Sequence, residues 1–301
     1  MSDRPAEDMA AQVPAPSSSV ADAKARRLFA WLADTDSLIV AFSGGADSAY
    51  LAWAATRALG DKALCVTADS PSYPDRHRRL ARDLARQFGL QHQIIHTEEL
   101  DLPAYRANPT NRCYFCKHTL YSALTRMATE RGIAAVADGS NADDRGDYRP
   151  GRQAAREFGV RSPLDDVGLT KAEIRDLSRR ASLPTWDEPA SACLSSRIPY
   201  HSAVTDEKLR MIERAEEALH AMGFRVCRVR HHDLPAAGSD GSPALARLEL
   251  GRDEMPRLLD PAVMDRVHVE LAAVGYRHVT LDLRGYRMGS LNEGLHLRVV
   301  N

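Results

Sequence analysis

At 301 residues, with 44% hydrophobic and 27% charged residues, the chain has the composition of a soluble globular protein and length for one large or two modest domains. Its formal net charge of −1 argues against a general nucleic-acid binder, and no apolar run is long enough to span a bilayer. No signal-peptide pattern opens the chain, so a cytoplasmic address is expected. In that compartment the five cysteines are not a disulfide framework and need another explanation.

Residues 1–20 combine Pro, Ser, Ala and acids with nothing to bury, and are expected to be a disordered tail. A helical pattern starts at Ala23, with Leu28, Phe29, Trp31 and Leu32 among charged residues. Apolar, β-branched runs at Ser37–Phe42, Ala63–Thr67, Gln93–His96 and Ala134–Ala137 read as buried strands. Between them lie helical segments near Ser48–Leu59, Pro74–Phe88 and Lys117–Arg131. That alternation predicts an α/β fold with a parallel sheet covered by helices on both faces, spanning 21–188. Thr170-Lys-Ala-Glu173 has the form of a capping box opening a further helix. Pro189–Tyr200 is loop-like. A long amphipathic helix at Asp206–Met222 follows, then strands at Arg225–Arg230, Ala246–Leu250 and Val279–Leu283, with helical sequence over Met255–Val274. Strand and helix no longer alternate simply there, so 189–301 is assigned as a junction loop and a smaller α+β domain for substrate and oligomerisation. Leu234–Pro243 reads as a hairpin loop or flap, and no internal repeat is present.

The segment Ser43-Gly44-Gly45-Ala46-Asp47-Ser48 joins the first buried strand directly to a helix. Glycines there let successive backbone N–H groups form an anion nest, to which the helix N-terminus adds a positive dipole end. Ser43 and Ser48 can donate hydroxyls to the same phosphate oxygens, and Asp47 suits an orienting role or a Mg²⁺ on the phosphates. The segment lacks the Gly-Lys-Ser/Thr ending of a Walker loop and the spacing of a dinucleotide loop. The bland alternative is a capped strand-to-helix turn. The six residues match the SGGxDS signature of the PP-loop ATP-pyrophosphatases, which release pyrophosphate and form an adenylate. Thr67-Ala68-Asp69-Ser70, at the end of the second strand, lies where such enzymes receive adenine.

Further motifs follow in order: Asp138-Gly139-Ser-Asn-Ala-Asp-Asp144, Asp147-Tyr-Arg-Pro-Gly151, Ser162-Pro-Leu164, Glu188-Pro-Ala-Ser-Ala-Cys193-Leu-Ser-Ser-Arg197-Ile-Pro-Tyr200 and Leu281-Asp-Leu-Arg-Gly-Tyr-Arg-Met-Gly-Ser290. Together with the phosphate loop, this set resembles the LarE family, ATP-dependent sulfur transferases that build the nickel-pincer nucleotide cofactor of lactate racemase. The resemblance runs from about Leu28 to Gly294. It implies that ATP and Mg²⁺ adenylate a carboxylate of a pyridinium biscarboxylate mononucleotide, after which sulfur displaces AMP to give a thioacid. It places Gly139 with the nucleotide-binding residues and gives Arg228 and Arg230 the substrate phosphate. It also implies a homo-oligomer assembled through the second domain, with partner proteins of cofactor biosynthesis and no nucleic-acid or membrane partner.

Two sulfur routes are open within that resemblance. In one, a cysteine matching Cys193 gives up its own sulfur and becomes dehydroalanine. In the other, three cysteines hold a [4Fe–4S] cluster with one open iron. Arg112-Cys113-Tyr-Phe-Cys116-Lys117 has CxxC spacing and reads as a loop before a helix, and Cys193 supplies a third thiol. Cys113, Cys116 and Cys193 thus favour the cluster, while a redox pair or a partial zinc site remain alternatives for the CxxC. Cys65 and Cys227 read as small core residues.

Arg228 and Arg230 alternate on one strand and share a face, for which the competing reading is an exposed strand surface. Arg197, beside Cys193, is a candidate to neutralise a carboxylate or phosphate. Glu213, Glu216 and Glu217 read as a solvated helical face, His231 and His232 as a loop edge, and Arg76, Arg78, Arg79, Arg82 and Arg86 as a solvated helix. A tRNA thiolase is the competing function, disfavoured by balanced charge and the lack of an RNA-binding appendage. An ammonia-fed synthetase and a non-enzymatic nucleotide-binding module also share the loop.

Overall fold

The computed structural model describes residues 20–146, 150–189, 192–235, 243–287 and 290. The expected disordered tail, Asp147–Arg149 and the tip of the 234–243 loop lie outside the described residues.

The first part of the chain carries α1 (Val20–Ala33), β1 (Leu38–Ala41), α2 (Ala46–Leu59), β2 (Ala63–Asp69), α3 (Asp75–Phe88), β3 (Gln91–His96), α4 (Pro103–Arg106), α5 (Arg112–Arg131) and β4 (Ala135–Ala137). It continues through α6 (Gly151–Glu157), α7 (Pro163–Asp166) and α8 (Lys171–Arg180). The strands form a parallel sheet in the order β3-β2-β1-β4. Every residue of β1 is buried, as a central strand covered on both faces requires. Its alternating side chains feed two separate apolar clusters. Leu38 and Val40 pack with α1, α2 and α8, while Ile39 and Ala41 pack with α5 and α6. The order reverses between the parallel neighbours β1 and β4, so the connections leaving them run to opposite sides and leave a crevice beyond the strands' carboxyl ends. Among the described residues no helix is long and apolar enough to cross a membrane.

The second part holds α9 (Asp206–Ala221), β5 (Cys227–Asp233), β6 (Ala244–Leu250), α10 (Pro261–Val274) and β7 (Tyr276–Leu281). β5 and β6 are antiparallel, β6 and β7 parallel, and α9 and α10 close their own apolar cluster over the sheet. A further cluster joins the two parts. Leu194, Ile198 and Val204 pack with Leu209 and Ile212 of α9 on one side and with Tyr105, Phe115 and Cys116 on the other.

Several local expectations change. α5 begins at Arg112, not Lys117, so the CxxC is the first turn of a helix and not a loop before one. The Arg112 N–H donates to the Pro109 carbonyl (2.9 Å), and the inward-packed Phe115 and Cys116 reward helical winding from that point. Glu216 is buried, not solvated: it pairs with Arg197 through two 2.9 Å bonds and accepts the Val229 N–H at 3.0 Å. Glu213 accepts the Asp75 N–H at 2.7 Å, capping α3, whose own N-cap is Pro74 and offers no side-chain oxygen. His231 and His232 belong to β5, and His231 is buried beside Tyr276. On α3, Arg78 bridges Asp69 and Asp75 while Arg76 reaches Glu188, so those two charges tie the fold together. The Thr170 capping box forms as read.

Removing one partner of a buried ion pair strands the other charge, at a cost of about 3–5 kcal/mol. Glu216→Ala is therefore expected to lower the unfolding midpoint strongly, and pairing Arg197→Met with Glu216→Leu to recover much of the loss; equal damage in both proteins would show that the pair is not the cause. His77 gives a pH handle. Burial first, then Arg76, Arg228 and Arg197, lower its pKa from 6.5 to about 4. The unfolded chain thus takes up the proton first, and the contribution present above pH 6.5 is lost as pH falls toward about 4. On the order of 2–3 kcal/mol rides on this window, and His77→Gln should flatten the dependence of the melting temperature on pH within it. An unchanged slope would reject the assignment.

Candidate active site

The phosphate loop leaves the end of β1 and enters α2. Gly44 has φ +69°, a left-handed conformation for which glycine is suited, and a Cβ there would press on Ala81 of α3 at 3.2 Å. Gly45 is the N-cap of α2 and provides no side-chain cap, so the first N–H groups of the helix remain available to an anion. Ser48 Oγ organises the turn: it accepts the Ser43 N–H (3.2 Å), shares a bond with Ser43 Oγ (3.1 Å) and donates to the Gly45 carbonyl (3.1 Å). Across the crevice, β4 delivers Asp138–Asn141. A Cβ on Gly139 would lie 2.9 Å from the Ser48 nitrogen, so a bare backbone at 139 is what lets the end of β4 approach the first turn of α2. Asn141 Nδ2 donates to Asp47 Oδ2 at 3.0 Å. Burial raises the Asp47 pKa, with Asp144 adding to the rise and Lys171, Asn141 and Arg175 opposing it. A half-buried carboxylate held this way is suited to a cation brought by a polyphosphate.

On the other side of β1, Thr67 is buried, donating to the Phe42 carbonyl at 2.7 Å and bonded to His92 Nε2 at 2.8 Å. Ala68 is half-buried at the same strand end. Ser70 Oγ meets Ser72 Oγ (3.0 Å), and Ser72 donates to the buried Glu99 (2.8 Å). Tyr73 reaches back to donate to the Ser43 carbonyl at 3.0 Å. Between these residues and α9 opens a cleft of about 290 Å³ lined by Asp69, Ser70, Tyr73, Arg78, His96 and Glu213.

The sulfur end adjoins this strand end, because the Leu194 N–H donates to the Ser72 carbonyl at 2.8 Å. Cys193 immediately precedes a 3₁₀ turn, Leu194–Arg197, that lies against the start of α5. Each of Cys113, Cys116 and Cys193 lies within electrostatic reach of the other two. Cys113 is pushed up by burial and then by Cys193, and Cys116 by burial, then Glu99, Cys193 and Cys113. Cys113 is solvent-exposed, while Cys116 and Cys193 are half-buried. Arg112, buried, feels the charge of Cys193 and Cys113, and Lys117 that of Cys113 and Cys116. Among the described residues no three His, Cys, Asp or Glu side chains already stand drawn together around an ion position. By chemistry alone the donor set suits an iron–sulfur group, three soft thiols with Arg112 and Lys117 beside them. Cys65 and Cys227 are buried in separate cores, each with its thiol raised to about 12 by desolvation.

The arginines are engaged within the fold. Arg197 forks onto Glu216 and its Nη1 donates to the Cys193 carbonyl at 2.9 Å. Arg228 and Arg230 are buried, so the exposed-face reading is corrected: Arg228 lies over the Tyr286 ring at 5.2 Å, and Arg230 binds Glu249 (2.6 Å), the Ser196 carbonyl (2.7 Å) and Ser290 (2.8 Å). Sequence reading passed over Asn108, Arg112, Ser72 and Glu249. Of these, Arg112 alone carried a signal, the basic residue flanking the CxxC.

No family model matches the chain. A protein of Synechocystis sp. with no assigned function is 39% identical over 274 residues, covering 91% of this chain and 98% of that one. Pyridinium-3,5-bisthiocarboxylic acid mononucleotide synthase of Lactiplantibacillus plantarum is 35% identical over 273 residues, covering 90% of this chain and 95% of that enzyme. A tRNA(Ile)-lysidine synthase of Bradyrhizobium sp. is 34% identical over 193 residues, covering 57% of this chain and 52% of that enzyme. With the phosphate loop at the sheet's switch point and a relative this similar along nearly its whole length, the chain belongs to the LarE family of PP-loop sulfur transferases, the family of the pyridinium-3,5-bisthiocarboxylic acid mononucleotide synthase.

Proposed function

We propose that the protein adenylates a carboxylate of pyridinium-3,5-biscarboxylic acid mononucleotide with ATP and Mg²⁺, and then converts it to a thioacid for the nickel-pincer nucleotide. Cys113, Cys116 and Cys193 would hold a [4Fe–4S] cluster, which when bound through three thiolates offers one open iron for sulfide. The observation that supports this reading is the seating of the Cys193 loop against both the start of α5, which bears Cys113 and Cys116, and the nucleotide strand end, where the Leu194 N–H bonds the Ser72 carbonyl.

Ser43–Ser48 would cradle the β- and γ-phosphates on the amides of α2, while Asp47, steadied by Asn141, would hold Mg²⁺ against them. The substrate carboxylate attacks the α-phosphorus and the bond to the bridging oxygen breaks, releasing pyrophosphate. Thr67, Ala68 and Ser70 line the strand end toward which adenine would extend. Sulfur then attacks the acyl carbon and AMP leaves with the bonding electrons. Arg228 and Arg230 stand on the second-domain face nearest the Cys193 loop, where a substrate phosphate would meet guanidinium groups. Arg197 acts through the backbone, fixing the Cys193 carbonyl.

Two measurements test the reading. Protein prepared without oxygen is expected to carry iron and acid-labile sulfide near cluster stoichiometry, and Cys113→Ala, Cys116→Ala and Cys193→Ala each to lose most of it. If iron stays absent after reconstitution and a single turnover leaves dehydroalanine at position 193 by mass spectrometry, Cys193 is a sacrificial donor instead. Pyrophosphate release tests the nucleotide end: Gly139→Ala forces a methyl against the Ser48 backbone, and Asp47→Ala removes the carboxylate. Both are expected to lower release by about 100-fold or more, given the usual weight of positioning and charge stabilisation. Wild-type release from Asp47→Ala would remove its assigned role.

A further inference from the structure

Residues 105–112 and 193–204 share no sheet ladder, yet a dense set of bonds ties them. Asn108 is fully buried and sits at φ +53°, a left-handed conformation uncommon outside glycine. Its amide nitrogen donates to the carbonyls of Pro199 (2.7 Å), Ser202 (3.0 Å) and Ile198 (3.3 Å), and its own carbonyl accepts the His201 N–H at 2.9 Å. The Asn108 side-chain oxygen accepts from Arg112, whose Nη1 also donates to the Ser195 carbonyl at 2.9 Å. Tyr105 adds a bond to Ser195 Oγ at 2.7 Å. Arg112 is the residue before Cys113, and Ser195 is two residues after Cys193. The network therefore spans the gap between the two cysteine-bearing segments, and Arg112 lies within electrostatic reach of both Cys113 and Cys193.

We infer that Asn108 and Arg112 are positioning residues for sulfur delivery: together they lock the Cys193 loop onto the first turn of α5 and so set the spacing of the three thiols. Their importance to the reaction rests on the cluster reading above, but the locking itself is a property of the chain's own contacts. An apolar joint alone, such as Leu194 and Ile198 against Tyr105 and Phe115, would resist separation while allowing sliding. Directional bonds to four successive regions of the loop remove that freedom. The left-handed backbone of Asn108 aims one amide at three carbonyls, and its cost is offset by those bonds.

Asn108→Gly isolates the idea, because glycine accepts the left-handed backbone while deleting every side-chain bond. The first readout is thiol spacing in reduced, iron-free protein: dibromobimane links thiols only a few ångströms apart, and the Cys113–Cys193 product is read by fluorescence and peptide mass. Loss of several net hydrogen bonds is expected to lower its yield by roughly tenfold. Iron content and cluster absorption after anaerobic reconstitution should fall with it, while retained nucleotide binding reports a surviving fold. Arg112→Lys, which keeps the charge and loses the fork, should lower both readouts by a smaller factor and serves if Asn108→Gly does not fold. Wild-type crosslinking yield in the folded variants would overturn the inference. A fall in crosslinking while wild-type protein takes up no iron would support the clasp and reject the cluster.

Discussion

Glu216 accepts three hydrogen bonds at once, two from Arg197 and one from the Val229 backbone, at a buried position. Arg197 holds its Glu216 carboxylate below the usual range despite the burial that opposes it. An ion pair of this kind contributes little net stability compared with apolar residues of the same shape, because both charges must be desolvated. What it does contribute is geometry. The acceptor belongs to α9, the third donor to β5, and the remaining guanidinium nitrogen carries the Cys193 carbonyl. The position of the sulfur-bearing loop is thereby referred to the second sheet and helix, and through Arg230 and Ser196 to the strand beside them.

The phosphate-loop end is fixed by a different constraint, the opposite courses of the connections that leave the parallel strands β1 and β4. A crevice at such a point is unavoidable in a doubly wound sheet, and this chain equips it with a glycine-lined helix start on one side and Asp138–Asn141 on the other. Two contacts then couple that crevice to the sulfur end. Leu194 bonds to the Ser72 carbonyl, just beyond β2, and Glu213 of α9 caps the α3 helix that backs Gly44. In the reaction proposed above, adenylation and sulfur transfer would act on one carboxyl group, which requires the two ends to be held in register. These contacts join them within a few residues of each.

The sheet and its phosphate loop were legible because both are local: Leu38–Ala41 is a continuous apolar run, and the SGGxDS segment carries its own turn chemistry. The second sheet was legible as a change of rhythm, though its β6-α10-β7 crossover with one antiparallel partner was not. What escaped is long-range. Periodicity assigns Glu216 to a helix face without revealing that Arg197 and Val229 wait on the other side of it. Alternation places Arg228 and Arg230 together without showing Glu249 and Tyr286 as their partners. The start of α5 was misplaced for a related reason: a Cys-Tyr-Phe-Cys turn has no strong helix formers, and tertiary packing of Phe115 and Cys116 decides it.

An account of where the backbone polar groups of residues 193–204 go explains the unusual number of buried cations nearby. The loop has only a single 3₁₀ turn, so most of its carbonyls need partners from elsewhere. Arg197 takes that of Cys193, Arg112 that of Ser195, Arg230 that of Ser196, and Asn108 those of Ile198, Pro199 and Ser202. Its N–H groups use Ser72, Asn108 and Arg106 carbonyls. Guanidinium groups suit this task because they donate in several directions from one plane, and Glu216 and Glu249 balance two of the charges so introduced. Seen this way, the arginines around Cys193 first build the loop that presents the thiol. A regular helix or strand would have needed none of them, and would have held Cys193 to its own axis instead of against α5.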